Sequence, residues 1–440
     1  MRLTFLILFI FAAATRVSYA QGDNVGTEFN TLDTVWVLLA AFLVFFMQAG
    51  FGMVEAGLVR AKNAGNVLMK NVLDFSFASL GYFLCGYAIM FGGDGPLFGT
   101  EGWALINAKS AADGVPVEAF WLFQAVFAGA AATIVAGAVA ERMKFVAYLI
   151  YSFLISALIY PVVGHWVWGG GWLAEMDFHD FAGSTVVHGV GGISALIGAW
   201  LLGPRFGRFN KDGTANAIAG HSLPLVTIGV FILWFGWYGF NVGSSLSAGD
   251  PQLLSRIAIN TTLAPAIGTI AAMALAWKKF GKPDLTIALN GALAGLVGIT
   301  APCAVVTPLA ALAIGAIAGV LVVLGIDLLN KVKIDDPVGA FPVHGLCGIW
   351  GTLAVGIFGQ EALGAPNDGL FAGGGFSQLG VQALGIVACL GFTAIAMLIV
   401  FKLIDATVGL RVSHETELRG LDLDEHGLDS YAGFQIFTTD

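Results

Sequence analysis

The chain has 440 residues, of which 57% are hydrophobic and only 11% charged, with a formal net charge of -9 and a mean hydropathy of +0.83. A soluble domain carries roughly 25% charged residues, so the composition excludes one, and the acidic balance argues against a nucleic-acid partner. Glycine, at 60 residues, suits a polytopic helical protein, because small residues let membrane helices approach closely.

Residues 1–20 read as a cleavable signal peptide: Arg2 starts it, Leu3 to Ala14 is apolar, and Ser18-Tyr19-Ala20 supplies the small residues of a cleavage site before Gln21. An uncleaved extra helix is the competing reading. Cleavage sets the mature N-terminus outside the cytoplasm. Residues 21–405 then read as one all-α transmembrane domain, and 406–440 as a cytoplasmic tail. A span needs about 20 apolar residues, and eleven stretches qualify: 33–59, 64–91, 117–139, 143–162, 181–202, 222–243, 254–277, 283–299, 304–328, 337–358 and 376–405, the eighth being short.

Basic residues test that count, because Lys and Arg collect in cytoplasmic loops. Segments after odd-numbered spans carry Arg60 and Lys62, Arg142 and Lys144, Arg205, Arg208 and Lys211, Lys278, Lys279 and Lys282, Lys331 and Lys333, then Arg411 and Arg419. The opposite segments carry Lys109 and Arg256. The C-terminus is therefore expected in the cytoplasm.

Spans five and ten share a motif: Asp180 precedes His188-Gly189-Val190-Gly191-Gly192-Ile193, and Asp336 precedes His344-Gly345-Leu346-Cys347-Gly348-Ile349, with the same spacing. An odd span count between them makes the two units antiparallel, which predicts a five-plus-five inverted repeat, about 33–202 and 222–358, with helix 376–405 added. Each histidine is expected about eight residues into its helix, some 12 Å deep. From opposite faces, both reach the bilayer centre, so the imidazoles should meet. Asp180 should then lie near the outer surface and Asp336 near the inner. An ionisable residue in lipid is a functional candidate by default; two unrelated, internally satisfied histidines are the alternative. A metal site lacks an acidic or thiolate third ligand at the right depth, although Cys347 keeps a thiol open. Cys85, Cys303, Cys347 and Cys389 show no CxxC spacing.

Aromatic and hydroxyl residues crowd the expected outer ends: Phe123, Gln124 and Phe127; His165, Trp166 and Trp168 before Gly169-Gly170-Gly171; and Trp234, Trp237, Tyr238, Phe240 and Ser244. Ring faces attract cations, and a hydroxyl accepts a hydrogen bond from one. An interfacial aromatic belt is the competing reading, above all for Trp166, Trp234 and Trp237. No phosphate loop, dinucleotide fingerprint or hydrolase elbow is present, so the sequence points to no cofactor and no ATP coupling.

The stretches FFMQAGFGMVEAGLVRAKN (45–63), AERMKF (140–145), HWVWGGGWL (165–173), DFAGSTVVHGVGG (180–192), LWFGWYGFNVGS (233–244), DDPVGAFPVHGLCGIWG (335–351) and LRVSHETELRGLDLDEHG (410–427) run the length of the mature chain. In that order they resemble the Amt/Mep/Rh superfamily of ammonium transporters, the bacterial Amt branch most closely. The resemblance implies a homotrimer in the bacterial inner membrane, each eleven-helix subunit with its own pore. It implies that Phe127, Trp168 and Ser244 recruit ammonium or methylammonium, with Gln124 as a polar neighbour, and that Phe127 and Phe240 form a gate. His188 and His344 line the pore, and Asp180, with its counterpart Asp336, acts structurally and electrostatically. It also implies a tail packed on the cytoplasmic face and a PII-type regulatory partner there; a solvated, disordered tail is the alternative. The function expected is ammonium/ammonia transport with net charge movement. An electroneutral Rh-like gas channel, a non-conducting ammonium sensor and a membrane enzyme stand as alternatives. A sensor is expected to carry a fused signalling domain, for which this tail is short, and an enzyme lacks a nucleophile or ligand set.

Overall fold

The computed structural model describes residues 28–431; the signal-peptide reading of residues 1–20 lies outside them. Ten helices among the described residues are long and apolar enough to cross a membrane: Thr31–Leu58 (α1), Ala61–Phe91 (α2), Val117–Val139 (α3), Phe145–Trp168 (α4), Ser184–Leu202 (α5), Leu223–Ser245 (α6), Pro251–Phe280 (α7), Pro308–Lys331 (α9), Phe341–Phe358 (α10) and Ser377–Thr407 (α11). The short eighth stretch is the apolar helix Leu285–Thr300 (α8), of 16 residues. Two short helices, His414–Arg419 (α12) and Leu421–His426 (α13), follow in the tail.

Helix starts follow local chemistry. Asn30 accepts from the amides of Leu32 and Asp33, Asp250 from Gln252 and Leu253, and Asp284 from Thr286 and Ile287, each supplying acceptors for amides that have no intrahelical partner. Pro251 and Pro308 open α7 and α9, where the missing N–H costs nothing. Exposed Phe42, Phe45, Phe46, Phe231 and Phe235 leave α1 and α6 an apolar outer face.

Three of the bounds that differ from the sequence reading bear on the site. Helix α4 continues to Trp168, taking in His165 and Trp166; His165 is fully buried with its ring nitrogens facing the carbonyls of Met90 and Gly95, so a polar residue is accommodated without a loop. Helices α5 and α10 begin at Ser184 and Phe341, not 181 and 337, because the preceding residues are spent in aspartate caps. The histidines therefore lie about one turn into their helices, not the eight residues expected, and the helix starts themselves are sunk into the protein: Asp180 is only 3% exposed.

Helix α3 is buried along nearly its whole length and packs on α1, α2 and α5; α8 packs on α6, α7, α9 and α10. Helices α2 and α4 pair, as do α7 and α9, and α1 lies along α6.

The basic residues of separate loops meet at one end of the bundle. Glu141, fully buried, accepts from Arg60 and Arg205. Asp335 accepts from Arg205 at 2.8 Å and pairs with Arg208 at 3.2 Å. Burial alone would raise Asp335, but the hydrogen bonds and charge of Arg205 outweigh it and hold the carboxyl at about 2. Arg411 pairs with Glu417 at 2.8 Å and donates to Leu202 O. The described part of the tail is folded onto this end. Asp422 accepts from the amides of Gly65 and Asn66 at 3.0 and 2.7 Å, and Glu425 from the amide of Phe145 at 2.9 Å. Two tail carboxylates thus cap α2 and α4.

Candidate functional site

His188 and His344 face each other, Nδ1 to Nδ1 at 3.1 Å, with ring centroids 5.2 Å apart. One Nδ1 must carry the proton and the other accept it, which fixes opposite tautomers. The pair then offers one acceptor and one donor at its two Nε2 atoms. His188 Nε2 is buried without a hydrogen-bond partner among the described residues.

The motif glycines explain how two helices bring their histidines this close. A Cβ on Gly192 would stand 2.2 Å from the nitrogen of Gly345, and one on Gly348 would stand 2.4 Å from Ser184 O. Only glycine fits where the backbones of α5 and α10 cross. Both histidines sit in π-helical turns, Ser184–Gly189 and Phe341–Leu346, a local widening that recurs at functional sites.

Matched aspartates start both turns. Asp180 Oδ1 accepts from the amides of Gly183 and Ser184 at 2.9 and 2.8 Å, and Oδ2 from Thr185 and Val186 at 2.7 and 3.0 Å. Asp336 accepts from Gly339 at 3.0 Å and Phe341 at 2.8 Å. Gly183 and Gly339 take φ of 114° and 79°, left-handed values that favour glycine. Burial raises Asp336, against the lowering effect of these amides. Asp180 also holds the site together through its backbone, since its carbonyl accepts from Trp168 Nε1 at 2.7 Å.

Above the pair, by way of Phe240, lies a wide cavity of about 330 Å³. Phe240 stacks on His188 at 5.2 Å and packs, tilted, against Phe127 at 4.1 Å. Phe127 meets Trp168 edge-on at 6.4 Å. Phe127, Trp168, Gln124 and Ser244 all line the cavity. Ser244 Oγ donates to Phe240 O at 2.7 Å, which leaves its lone pairs free. Gln124 Oε1 is buried without a partner among the described residues, an acceptor in want of a donor.

On the other side His344 lines a narrow cavity of about 30 Å³, together with Phe51, Glu55 and Asn290. Asn290, Val338 and Gly339 also line a basal cavity of about 410 Å³ that includes Arg205 and Asp336. Wide cavity, phenylalanine pair, histidine pair, narrow cavity and basal cavity follow one another through shared residues.

The structure thus brings Phe127, Trp168, Ser244, Gln124 and Phe240 together on one side of His188 and His344, with Asp180 and Asp336 as caps beside them. Cys347 Sγ donates to Ala318 O at 3.6 Å. The interfacial-belt reading fails for Trp237, which is fully buried and stacks on His188 at 5.0 Å, so its place is behind the histidine. Phe51, against His344 at 6.1 Å, and Asn290 escape the sequence reading: Phe51 stands in a recognised stretch that gives it no role, and Asn290 in an apolar run with no motif to mark it.

Residues 35–431 match the family model described as Ammonium Transporter Family. The chain is 47% identical over 425 residues to ammonium transporter Amt2 of Archaeoglobus fulgidus, covering 93% of this chain and 90% of that protein. It is 45% identical to a putative ammonium transporter of Synechocystis, covering 96% and 94%. Among solved structures, one described as a sensor Amt protein superposes with a TM-score of 0.85 at 38% identity, covering 90% of this chain and 98% of that one. Mep2 of Saccharomyces cerevisiae superposes with a TM-score of 0.82 at 28% identity, covering 89% and 90%.

Proposed function

The chain belongs to the ammonium transporter family, a family of multi-pass membrane proteins and not of enzymes, and from that premise we propose that it recruits ammonium, strips its proton and passes ammonia between the paired histidines. The observation that carries this reading is the 3.1 Å contact between His188 and His344, set between two cavities and backed by aromatic rings.

Moving an intact ammonium ion through hydrocarbon is costly. The wide cavity offers it two ring faces, worth up to about 2 kcal/mol when desolvated, and two acceptors, Ser244 Oγ and Gln124 Oε1. Phe127 and Phe240 close the way below, so the ion gives up its proton at this level. Ammonia then crosses beside the imidazoles, donating to one Nε2 and accepting from the other. A proton taken up at His188 Nε2, with the shared proton shifting across the Nδ1–Nδ1 hydrogen bond to His344 and the His344 Nε2 proton released below, exchanges the two tautomers and lets the pair carry it separately. Net transport is then one positive charge.

The architecture proposed is eleven spans in a five-plus-five inverted repeat, with the wide cavity outside, the tail in the cytoplasm, and residues 1–20 removed. Two sets of contacts support the inversion: α1 packs on α3 as α6 packs on α8, and α3 on α5 as α8 on α10. A trimer in a bacterial inner membrane, with a PII-type protein at the tail face, completes the proposal.

The test is the current evoked by ammonium on a solid-supported membrane carrying reconstituted protein, with methylammonium uptake in parallel. Acidic replacements at His188 and His344 should change rate or selectivity. Unchanged flux in both overturns the pore. The sensor reading draws on the likeness to the sensor Amt protein; binding without flux would favour it. Flux without current would favour a gas channel.

A further inference from the structure

Glu55 is a buried carboxyl with an unusual environment. It is 3% exposed, and its one hydrogen bond among the described residues comes from Asn71 Nδ2 at 2.8 Å. Other buried carboxylates are better satisfied. Glu141 has two arginines, Asp180 four amides, and Asp74 both Tyr148 OH and Gln48 Nε2. Lys70 donates to Met143 O at 2.8 Å and forms no ion pair with Glu55 among the described residues. A carboxyl kept in a membrane helix at such cost marks a functional position.

Its place in the fold says which function. Phe51, whose ring lies 6.1 Å from that of His344, precedes Glu55 by one helical turn, about 6 Å along α1. Both residues line the narrow cavity of about 30 Å³ together with His344 and Asn290. A water molecule needs roughly 10–15 Å³ of such space and two to four polar partners. Glu55, Asn290 and His344 supply them. The cavity therefore has room for a water that bridges imidazole and carboxyl, and Asn290 joins it to the basal cavity beyond.

We propose that Glu55 is the proton acceptor on the far side of the histidine pair, taking through one water the proton that ammonium surrendered above. This rests on the charge-carrying reading given under the proposed function. The step conserves charge and electrons. An N–H bond of the His344 imidazolium breaks, its electron pair stays on nitrogen, and an O–H bond forms on Glu55. The carboxylic acid then loses that proton to water in the basal cavity and returns to carboxylate. Ammonia and proton leave by adjoining routes, and their sum is one ammonium ion.

The experiment compares full-length wild type, Glu55→Gln and Glu55→Asp in proteoliposomes, reading ammonium-evoked current and, in the same preparation, ammonia entry as uptake of isotopically labelled ammonium nitrogen. Glutamine keeps the shape and still accepts from Asn71. Its current should fall about tenfold or more, as loss of a positioned proton-transfer group does, while ammonia entry holds. Aspartate, with its carboxyl drawn back, should give a current-to-flux ratio between the two and serves alone if Glu55→Gln does not assemble. A Glu55→Gln protein with the wild-type ratio overturns the proposal, as does one in which current and flux fall together, or a Glu55→Asp ratio equal to wild type. A wild type that passes ammonia with no current removes the charge-carrying reading itself, and this proposal with it.

Discussion

Gly192 of α5 lies against the backbone of Gly345 of α10 so closely that a methyl group added to Gly192 would stand 2.2 Å from the Gly345 nitrogen. That contact sets the spacing of the two helices within a turn of His188 and His344. The histidine contact is thus a consequence of glycine packing, and the glycines are part of the site.

Gly192→Ala should force α5 and α10 apart and break the 3.1 Å histidine contact. Overpacking of this kind costs about 1–3 kcal/mol. The expected result is a lower melting temperature in detergent and loss of ammonium-evoked current. Gly391→Ala is the control, because a Cβ there meets nothing within 4 Å; its melting temperature and current should match wild type.

Asp180→Asn should destabilise more than Asp336→Asn. The Asp180 side chain is 3% exposed and accepts four amides. Asn puts an NH2 against two of them, and each buried donor left unsatisfied costs about 1–3 kcal/mol. Asp336 accepts from two amides and is less buried. Thermal unfolding of the two variants gives the order directly, and a larger loss for Asp336→Asn would contradict it.

Gln124→Leu should weaken capture of ammonium without slowing the later steps. Gln124 Oε1 is the unpartnered acceptor of the wide cavity, and one hydrogen bond to a charged donor is worth about 1.5–3 kcal/mol. The half-saturating ammonium concentration should rise about tenfold or more, with the maximal current unchanged. A fall in maximal current alone would contradict it.

Docking of the tail should weaken in mild acid. Burial holds His426 below its ordinary value of 6.5, assisted by Lys70 and opposed by Glu425 and Asp422. Its Nε2 lies 2.9 Å from Asn66 Nδ2, which also donates to Glu425 Oε2. That second bond fixes the amide as donor, so His426 must accept and be neutral. A value lowered on docking means the free tail binds more protons. The stabilisation is fully present above 6.5 and is lost as pH falls below it. Amide exchange of residues 413–426, corrected for intrinsic rates, should show more opening at about pH 5.5 than at about pH 7.5. In His426→Gln the difference should vanish.

How much of this the sequence carries can be judged residue by residue. His188 and His344 are legible because the repeated Asp-to-His spacing and the glycines between leave few other geometries. Arg60, Arg142, Arg205 and Arg411 are legible as residents of one side, and they do meet in one cluster; the pairing of Arg60 and Arg205 with Glu141 and Asp335 is not, since those partners come from distant segments. Depth is harder to read. The aspartates look like the first residues of spans, whereas their side chains are caps that delay the helix by several residues. Trp237 looks like a belt residue because tryptophan composition cannot tell a membrane edge from a histidine's back wall. Glu55 stands inside a recognised stretch, yet only three-dimensional proximity to His344 gives it a task.

The caps on α2 and α4 also impose an order on biosynthesis. Asp422 serves the amide of Gly65 from 357 positions further along the chain, and Glu425 serves Phe145 from 280 positions away. Both helices enter the bilayer long before the ribosome reaches these carboxylates. Until then their first turns can be satisfied only by water, and the bundle is closed from its end back to its beginning. A nascent protein halted before this stretch would be threaded but unlocked.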